Sequence, residues 1–184
     1  MTNTSEPVDH ADLIERCRKG ERRAQELLYR QYYKAMYNIS FRLLNNRFEA
    51  EDVMQEAFLS AFLKIRAYRG EVTFGSWLKR IVINRAIDAL RTRKVIFEEV
   101  TEKTEDLAAE GTRDEADQHE TNMAVERVRE AIEKLPDGFR VVLSLFLFEG
   151  YDHIEIAQIL NISESTSRSQ LARAKKKLTG MLKQ

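Results

Sequence analysis

Pro7 and Pro136 are the only prolines among 184 residues, so the whole stretch between them is free of the strongest helix breaker. Apolar and polar residues rarely alternate in it, which leaves strands without a signature. The apolar residues recur instead three and four apart. Leu27, Leu28, Tyr32, Ala35, Met36, Ile39, Leu43 and Leu44 form one such stripe over 21–45. A shorter one, with Leu13, Ile14 and Cys17, predicts a helix from near Asp9, a credible cap, to Gly20. Asn45–Asn46 marks a break, and a third helix over 47–66 presents Val53, Ala57, Leu59, Ala61, Phe62 and Ile65. The loop RAYRGEVTFGS follows, with Gly70 and Gly75 as expected hinges. A fourth helix, 76–93, carries Trp77, Leu78, Ile81, Val82, Ala86 and Leu90. Beyond Asn122 the periodicity resumes and stops at Pro136. The run VVLSLFLF within 138–148 is too continuous to show a phase, and reads as a buried helix or as a strand. The expected fold is all-α.

Charge divides the chain further. The net charge is zero, yet residues 1–96 hold 18 basic and 12 acidic side chains, and 122–184 hold 10 basic and 8 acidic. Between them, 97–121 holds 10 acidic and 2 basic ones with few large apolar residues. Such a segment repels itself and buries little, so an extended or disordered linker is expected. The predicted organisation is a helical domain over 9–96, an acidic flexible linker over 97–121 and a second helical domain over 122–184.

The second domain contains the most specific pattern. Asp152 and Glu155 have the spacing of a capping box around a short helix bearing Ile156, Ala157 and Leu160. Asn161 tolerates a left-handed turn, Ser163 can cap the next helix, and Leu171, Ala174 and Leu178 continue the apolar side. Helix, three-residue turn, helix is the helix-turn-helix plan. Ser165, Arg168, Ser169, Ala172, Arg173 and Lys176 lie opposite the apolar side. Arginine can contact guanine bidentately and serine can serve several bases, which suits a helix entering a major groove. Lys175, Lys176 and Lys177 would neutralise phosphates, although a solvated basic helix end has the same composition.

Other chemistries lack their residues. His10, His119 and His153 are scattered, a single cysteine makes no zinc site or internal disulfide, and no phosphate-binding glycine loop occurs. No cofactor, metal or catalytic site is expected. No apolar run approaches the length of a membrane span, and the polar start does not read as a signal peptide. A soluble cytoplasmic protein, not an enzyme, is expected.

The segment FEGYDHIEIAQILNISESTSRSQLARAKKKL resembles the fourth region of extracytoplasmic-function, or group 4, sigma factors of bacterial RNA polymerase. EAEDVMQEAFLSAFLKI is similar to that family's core-binding segment, and FGSWLKRIVINRAIDALRTRK to its promoter-melting helix. The resemblance covers about 11–95 and 122–180, in the family's order. It implies that Asp52, Gln55, Glu56 and Phe58, with Leu59 beside them, grip the clamp helices of the largest subunit of core polymerase. Tyr68, Arg69, Phe74, Arg80, Asn84 and Arg85 become candidates for holding promoter DNA as a single strand, where exposed bases stack and hydrogen-bond. Trp77 either anchors that loop or stacks on a base, Asp88 supports nearby arginines, and Arg91, Arg93 and Lys94 touch backbone. Ser165, Arg168, Ser169, Gln170, Ala172 and Arg173 fall at or beside the recognition-helix positions for the distal element.

Some residues depart from the family pattern. Asn161 stands where glycine is common, and Ser167 replaces a branched apolar residue, which predicts some loss of packing. Gln170 and Ala172 replace an arginine and a larger residue, which leaves the DNA sequence read open. The implied function is promoter recognition, melting and initiation with core polymerase. Two other readings compete with it, a stand-alone dimeric helix-turn-helix regulator and a protein-binding decoy for an inhibitor. The resemblance also implies an anti-sigma partner, frequently membrane-bound. The acidic linker either imitates RNA phosphates in the polymerase channel or is a solubilising tether. Replacing six of its acids with serine is expected to impair the holoenzyme beyond any loss of DNA binding. An unchanged ratio of abortive to full-length transcripts would favour the tether.

Overall fold

The computed structural model describes residues 10–93 and 118–183, with side chains described from 123 onward in the second stretch. Among the described residues all regular structure is helical. The chain divides after Ala89 into two compact units. Helices α1 (His10–Arg18), α2 (Arg22–Leu44), α3 (Arg47–Lys64) and all but the last turn of α4 (Phe74–Thr92) build the first, with one 3-10 turn at Ile65–Ala67. Helices α5 (Gln118–Glu133), α6 (Asp137–Leu147), α7 (His153–Leu160) and α8 (Glu164–Leu182) build the second. Asp9, Lys94 and the acidic residues 97–117 lie outside the described residues, and with them the expected cap, one phosphate contact and most of the linker. Helix α5 begins at Gln118, four residues ahead of the expected start at Asn122.

Two asparagines turn the chain from α2 into α3. Asn45 takes the left-handed conformation at φ 51° and closes α2. Asn46 Oδ1 accepts from the backbone N–H of Phe48 and Glu49, at 3.1 and 3.3 Å, and opens α3. The turn lets the two helices run antiparallel, with Leu28, Met36, Ile39 and Leu43 buried from α2 and Ala50, Val53, Met54, Ala57 and Phe58 buried from α3. Cys17 is buried as well, and burial pushes its thiol up to about 11, so it stays protonated and inert.

Helix α4 starts at Phe74 rather than the expected Ser76, because the Thr73 hydroxyl accepts from the Ser76 N–H at 3.2 Å. The structure corrects one expected hinge. Gly70 does take a positive φ of 77°, but Gly75 sits inside α4, and a Cβ there would lie 2.9 Å from Tyr32 Cε1. Gly75 gives room to a ring, not freedom to the chain.

In the second unit Pro136 turns α5 into α6, and Arg140, 2 % exposed, holds the corner. Its guanidinium donates to the Leu135 carbonyl at 3.0 Å and to Asp137 Oδ1. Nη1 and Nη2 are thus both met by near neighbours, which lowers the cost of burying the charge. The run VVLSLFLF is helical: Val141, Val142, Leu143 and Leu145 are fully buried, while Leu147 and Phe148 are half exposed at its end.

Gly75→Ala is expected to destabilise the first unit. Overpacking costs about 1–3 kcal/mol, against a helix-propensity gain of at most ~1 kcal/mol. Urea unfolding of the single variant and of the same change in a Tyr32→Leu background measures this, and the penalty should shrink in the second.

Candidate polymerase and nucleic-acid interfaces

Helix α3 has two unlike sides. Phe58 is 2 % exposed and packs its ring 4.8 Å from that of Tyr29, so it belongs to the core and leaves the expected contact set. The outward side carries Asp52, Gln55, Glu56 and Leu59, all exposed. Phe48, 82 % exposed, and Leu63, 85 % exposed, extend it at either end. At 3.6 residues per turn these six fall within an arc of roughly 100°. Apolar side chains so exposed around carboxylates and an amide have the composition of an interface rather than of a solvated face. Periodicity alone could have flagged Phe48 and Leu63, since each lies four residues from a residue already singled out.

The loop after α3 rests on an aromatic cluster. Phe74 is 1 % exposed and Tyr68 8 %, with ring centres 5.7 Å apart and planes at 90°. The Tyr68 hydroxyl donates to the Val72 carbonyl at 2.6 Å, and Arg18 donates to the Tyr68 carbonyl. Trp77, half-buried, lies 5.3 Å from Tyr68 and 5.6 Å from Phe74. Tyr32 joins the cluster 5.5 Å from Phe74, and its hydroxyl meets His10 Nε2 at 2.7 Å. Tyr68 and Phe74 are therefore spent on seating the loop and offer no open face to a base, which corrects both expectations. Trp77 packs as an anchor.

Arg69, Arg80 and Asn84 remain exposed, joined by Val72 on the loop, which the sequence did not single out. Trp77, Arg80, Asn84, Asp88 and Arg91 recur along one side of α4. Arg85 stands to the flank, where its Nη1 donates to Glu56 Oε2 across α3 and α4 at 2.6 Å. One carboxylate of the α3 face and one arginine expected on DNA thus hold each other. Arg93 is exposed at the end of α4.

The helix-turn-helix is built by caps. Asp152 Oδ1 accepts from the Glu155 N–H at 2.8 Å, while Glu155 Oε2 accepts from the Asp152 N–H at 2.9 Å. Asn161 adopts φ 57°, and its N–H and that of Ile162 both reach the Ala157 carbonyl. Ser163 Oγ then accepts from the Thr166 N–H at 3.0 Å and opens α8. Ile156, Leu160, Leu171 and Ala174 are buried, and Ala157 is half-buried.

On α8 the outward side presents Ser165, Arg168, Ala172 and Lys176 fully, and Ser169 and Arg173 in part. Lys175 and Lys177 flank them, the Lys175 ammonium standing 5.7 Å from the centre of the Phe146 ring. Arg168 pairs with Glu164 one turn earlier, an exposed contact worth at most about 1 kcal/mol and easily exchanged. Gln170 is 3 % exposed on the inner side, so it packs rather than reads DNA, which corrects its place among the recognition residues. Ser167 is fully buried too, and its hydroxyl meets His153 Nδ1 at 2.9 Å. The expected packing loss is met by a polar link, invisible in the sequence because its ends lie fourteen residues apart.

Among the described residues no cluster of histidine, cysteine, aspartate or glutamate could hold a metal, and no helix is long and apolar enough to cross a membrane. Comparison with known proteins assigns the class. Sigma-70 region 2 matches residues 28–95 and Sigma-70 region 4 matches 125–178. The RNA polymerase sigma-H factor of Pseudomonas aeruginosa is 32 % identical over 170 residues, covering 89 % of this chain and 88 % of that protein. The ECF RNA polymerase sigma factor SigW of Bacillus subtilis is 30 % identical over 178 residues, covering 92 % and 95 %. CnrH, solved in complex with the cytosolic domain of CnrY, shares the fold at TM-score 0.53 and 22 % identity, with 94 % and 96 % covered. The sigma factor RpoE of Bartonella quintana, solved with the anti-sigma factor NepR, does so at TM-score 0.55 and 19 % identity, with 86 % and 96 % covered.

The chain belongs to the sigma-70 family, and within it to the extracytoplasmic-function, group 4, sigma factors. It directs RNA polymerase to promoters as a specificity subunit and is not itself an enzyme.

Ser163→Ala removes the cap of α8 and is expected to cost the second unit about 1 kcal/mol, within a range of ~0.5–2. Thermal unfolding should show the loss, and Ser163→Asp should restore most of it.

Proposed function

We propose a division of labour among three surfaces. The α3 face of Asp52, Gln55, Glu56 and Leu59, extended by Phe48 and Leu63, docks on the clamp helices of core polymerase. The loop and α4, through Arg69, Arg80, Asn84 and Arg85, hold the opened strand of the proximal promoter element, with Val72 at the loop tip against a base. The outward side of α8, through Ser165, Arg168, Ser169, Ala172 and Arg173, reads the distal element as duplex DNA. Arg91, Arg93 and Lys175–Lys177 neutralise phosphates, which gives affinity without sequence choice.

The observation that carries this reading is the separation of faces on α3: acids and large apolar residues stand exposed together on one side, over a fully packed other side. Energy for strand opening then comes from holding bases outside the stack. Unpairing a base costs a few kcal/mol, which polar contacts to its exposed edge can offset. An anti-sigma partner belongs to the same proposal and would act by covering one of these surfaces.

Asp52→Lys reverses a charge at the centre of the α3 face without touching the core. Titration with core polymerase should show lost holoenzyme formation alongside an unchanged helical spectrum, and normal affinity would contradict the docking face. Arg173→Ala should weaken binding of the distal duplex by about 1–3 kcal/mol if it reads a base edge. Equal losses on a scrambled duplex would place it on phosphate instead.

A further inference from the structure

We propose that His153 is the positioning residue of the recognition helix: its imidazole engages the buried Ser167 hydroxyl and sets how α8 is seated on α7. This rests on the reading of α8 as the duplex-reading helix.

Ser167 lies on the inner side of α8 with no exposure, beside Thr166, Gln170, Leu171 and Ala174. A hydroxyl buried there without a partner would cost about 1–3 kcal/mol. His153 Nδ1, at 2.9 Å, is that partner. The imidazole is itself held on two sides. It is the first residue of α7, directly after the Asp152 capping box, and its ring stacks on Phe146 of α6 at 5.0 Å and 25°. Lys175 of α8 stands over that same Phe146 ring. Three helices thus meet in one stack, with a directional hydrogen bond at one end and a phosphate-facing lysine at the other.

Arg168 follows Ser167 in the chain and points outward, so the seat of the one fixes the reach of the other. Turning a helix by about 20° on its axis moves a side-chain tip at its surface by roughly 2 Å. Base contacts need placement to about 0.5 Å. An apolar contact would fill the space without choosing a rotation, whereas a hydrogen bond chooses one.

The link also titrates. Asp152 at the start of α7 and Glu164, Arg168 and Lys175 on α8 face the imidazole. Burial, then the positive charge of Arg168, pushes His153 below its ordinary value and favours the neutral ring. A neutral Nδ1 can accept from the Ser167 hydroxyl, but an imidazolium has only donors, and the hydroxyl must turn. The arrangement is complete above the ordinary histidine range and is lost as pH falls through the lowered value.

The test uses the full chain bound to core polymerase and a duplex pool with one randomised segment. The duplex that the wild type enriches, and a scrambled version, then serve as probes. His153→Phe keeps a ring on Phe146 but loses the nitrogen, and Ser167→Ala loses the hydroxyl. Each is expected to weaken binding of the enriched duplex by roughly 2–10-fold, with scrambled binding and helicity unchanged. The double variant should lose no more than the worse single one. His153→Asn, whose amide reaches the same point as Nδ1, should restore most of the affinity. Wild-type preference for the enriched duplex should hold down to about pH 6.5 and decline only below it, and that of His153→Phe should not. Additive losses, equal losses on both duplexes, or a Phe variant matching the wild type would overturn the proposal. A pool from which the wild type enriches nothing would overturn the duplex-reading role itself, a failure seen before any variant is compared.

Discussion

The turn of three residues between α7 and α8 governs what the second unit can present to DNA. Asn161 reverses the chain in a left-handed conformation, and its amide and that of Ile162 share the Ala157 carbonyl. Ser163 then supplies the acceptor that α8 lacks at its start. With the Asp152–Glu155 box holding the other end of α7, both helices have fixed ends, and the phase of α8 follows. That phase aims Arg168 and Ala172 outward while Ser167 and Gln170 turn in. Lys175, Lys176 and Lys177 stand exposed after Arg173.

The first unit solves a different problem. The loop before α4 is seated at its base by the aromatic cluster of Tyr32, Tyr68, Phe74 and Trp77 and is exposed at its tip. Gly75 is part of this arrangement, since any larger residue would strike Tyr32. The aromatics that looked best suited to stacking on bases are the ones used for packing, while Arg69, Arg80 and Asn84 stay exposed. Close by, the Glu56–Arg85 pair joins the α3 face to the flank of α4. It is half-exposed, so it stabilises little by itself, but it places two charges of different surfaces in one contact.

Sequence and structure agree closely on elements and disagree on orientation. Among the described residues seven of the helices, both asparagine turns, the capping box and the Ser163 cap follow from spacing and local hydrogen bonding, because their partners lie within four residues, whereas the apolar run of α6 shows no phase and reads also as a strand. The start of α4 was displaced by two residues because Thr73 is a less obvious cap than Ser76. The site was legible as a set of segments and only partly as a set of side chains. Phe58, Tyr68, Phe74 and Gln170 are amphipathic or aromatic types that serve a core and an interface equally well. Phe48 and Leu63 look like core residues until no neighbour covers them.

The amino-acid order by itself determined an all-helical chain, its acidic divide, the helix-turn-helix register and the resemblance that carries its function. These depend on periods, caps and charges read over short distances, where the backbone leaves few choices. The tertiary structure alone decided which side of each helix faces out, that Ser167 is matched by His153, that Arg140 Nη1 and Nη2 find acceptors in a buried corner and that Gly75 accommodates Tyr32. Those outcomes depend on which residues far apart in the chain come within a few ångströms, and packing between helices settles that, not the sequence of any one of them.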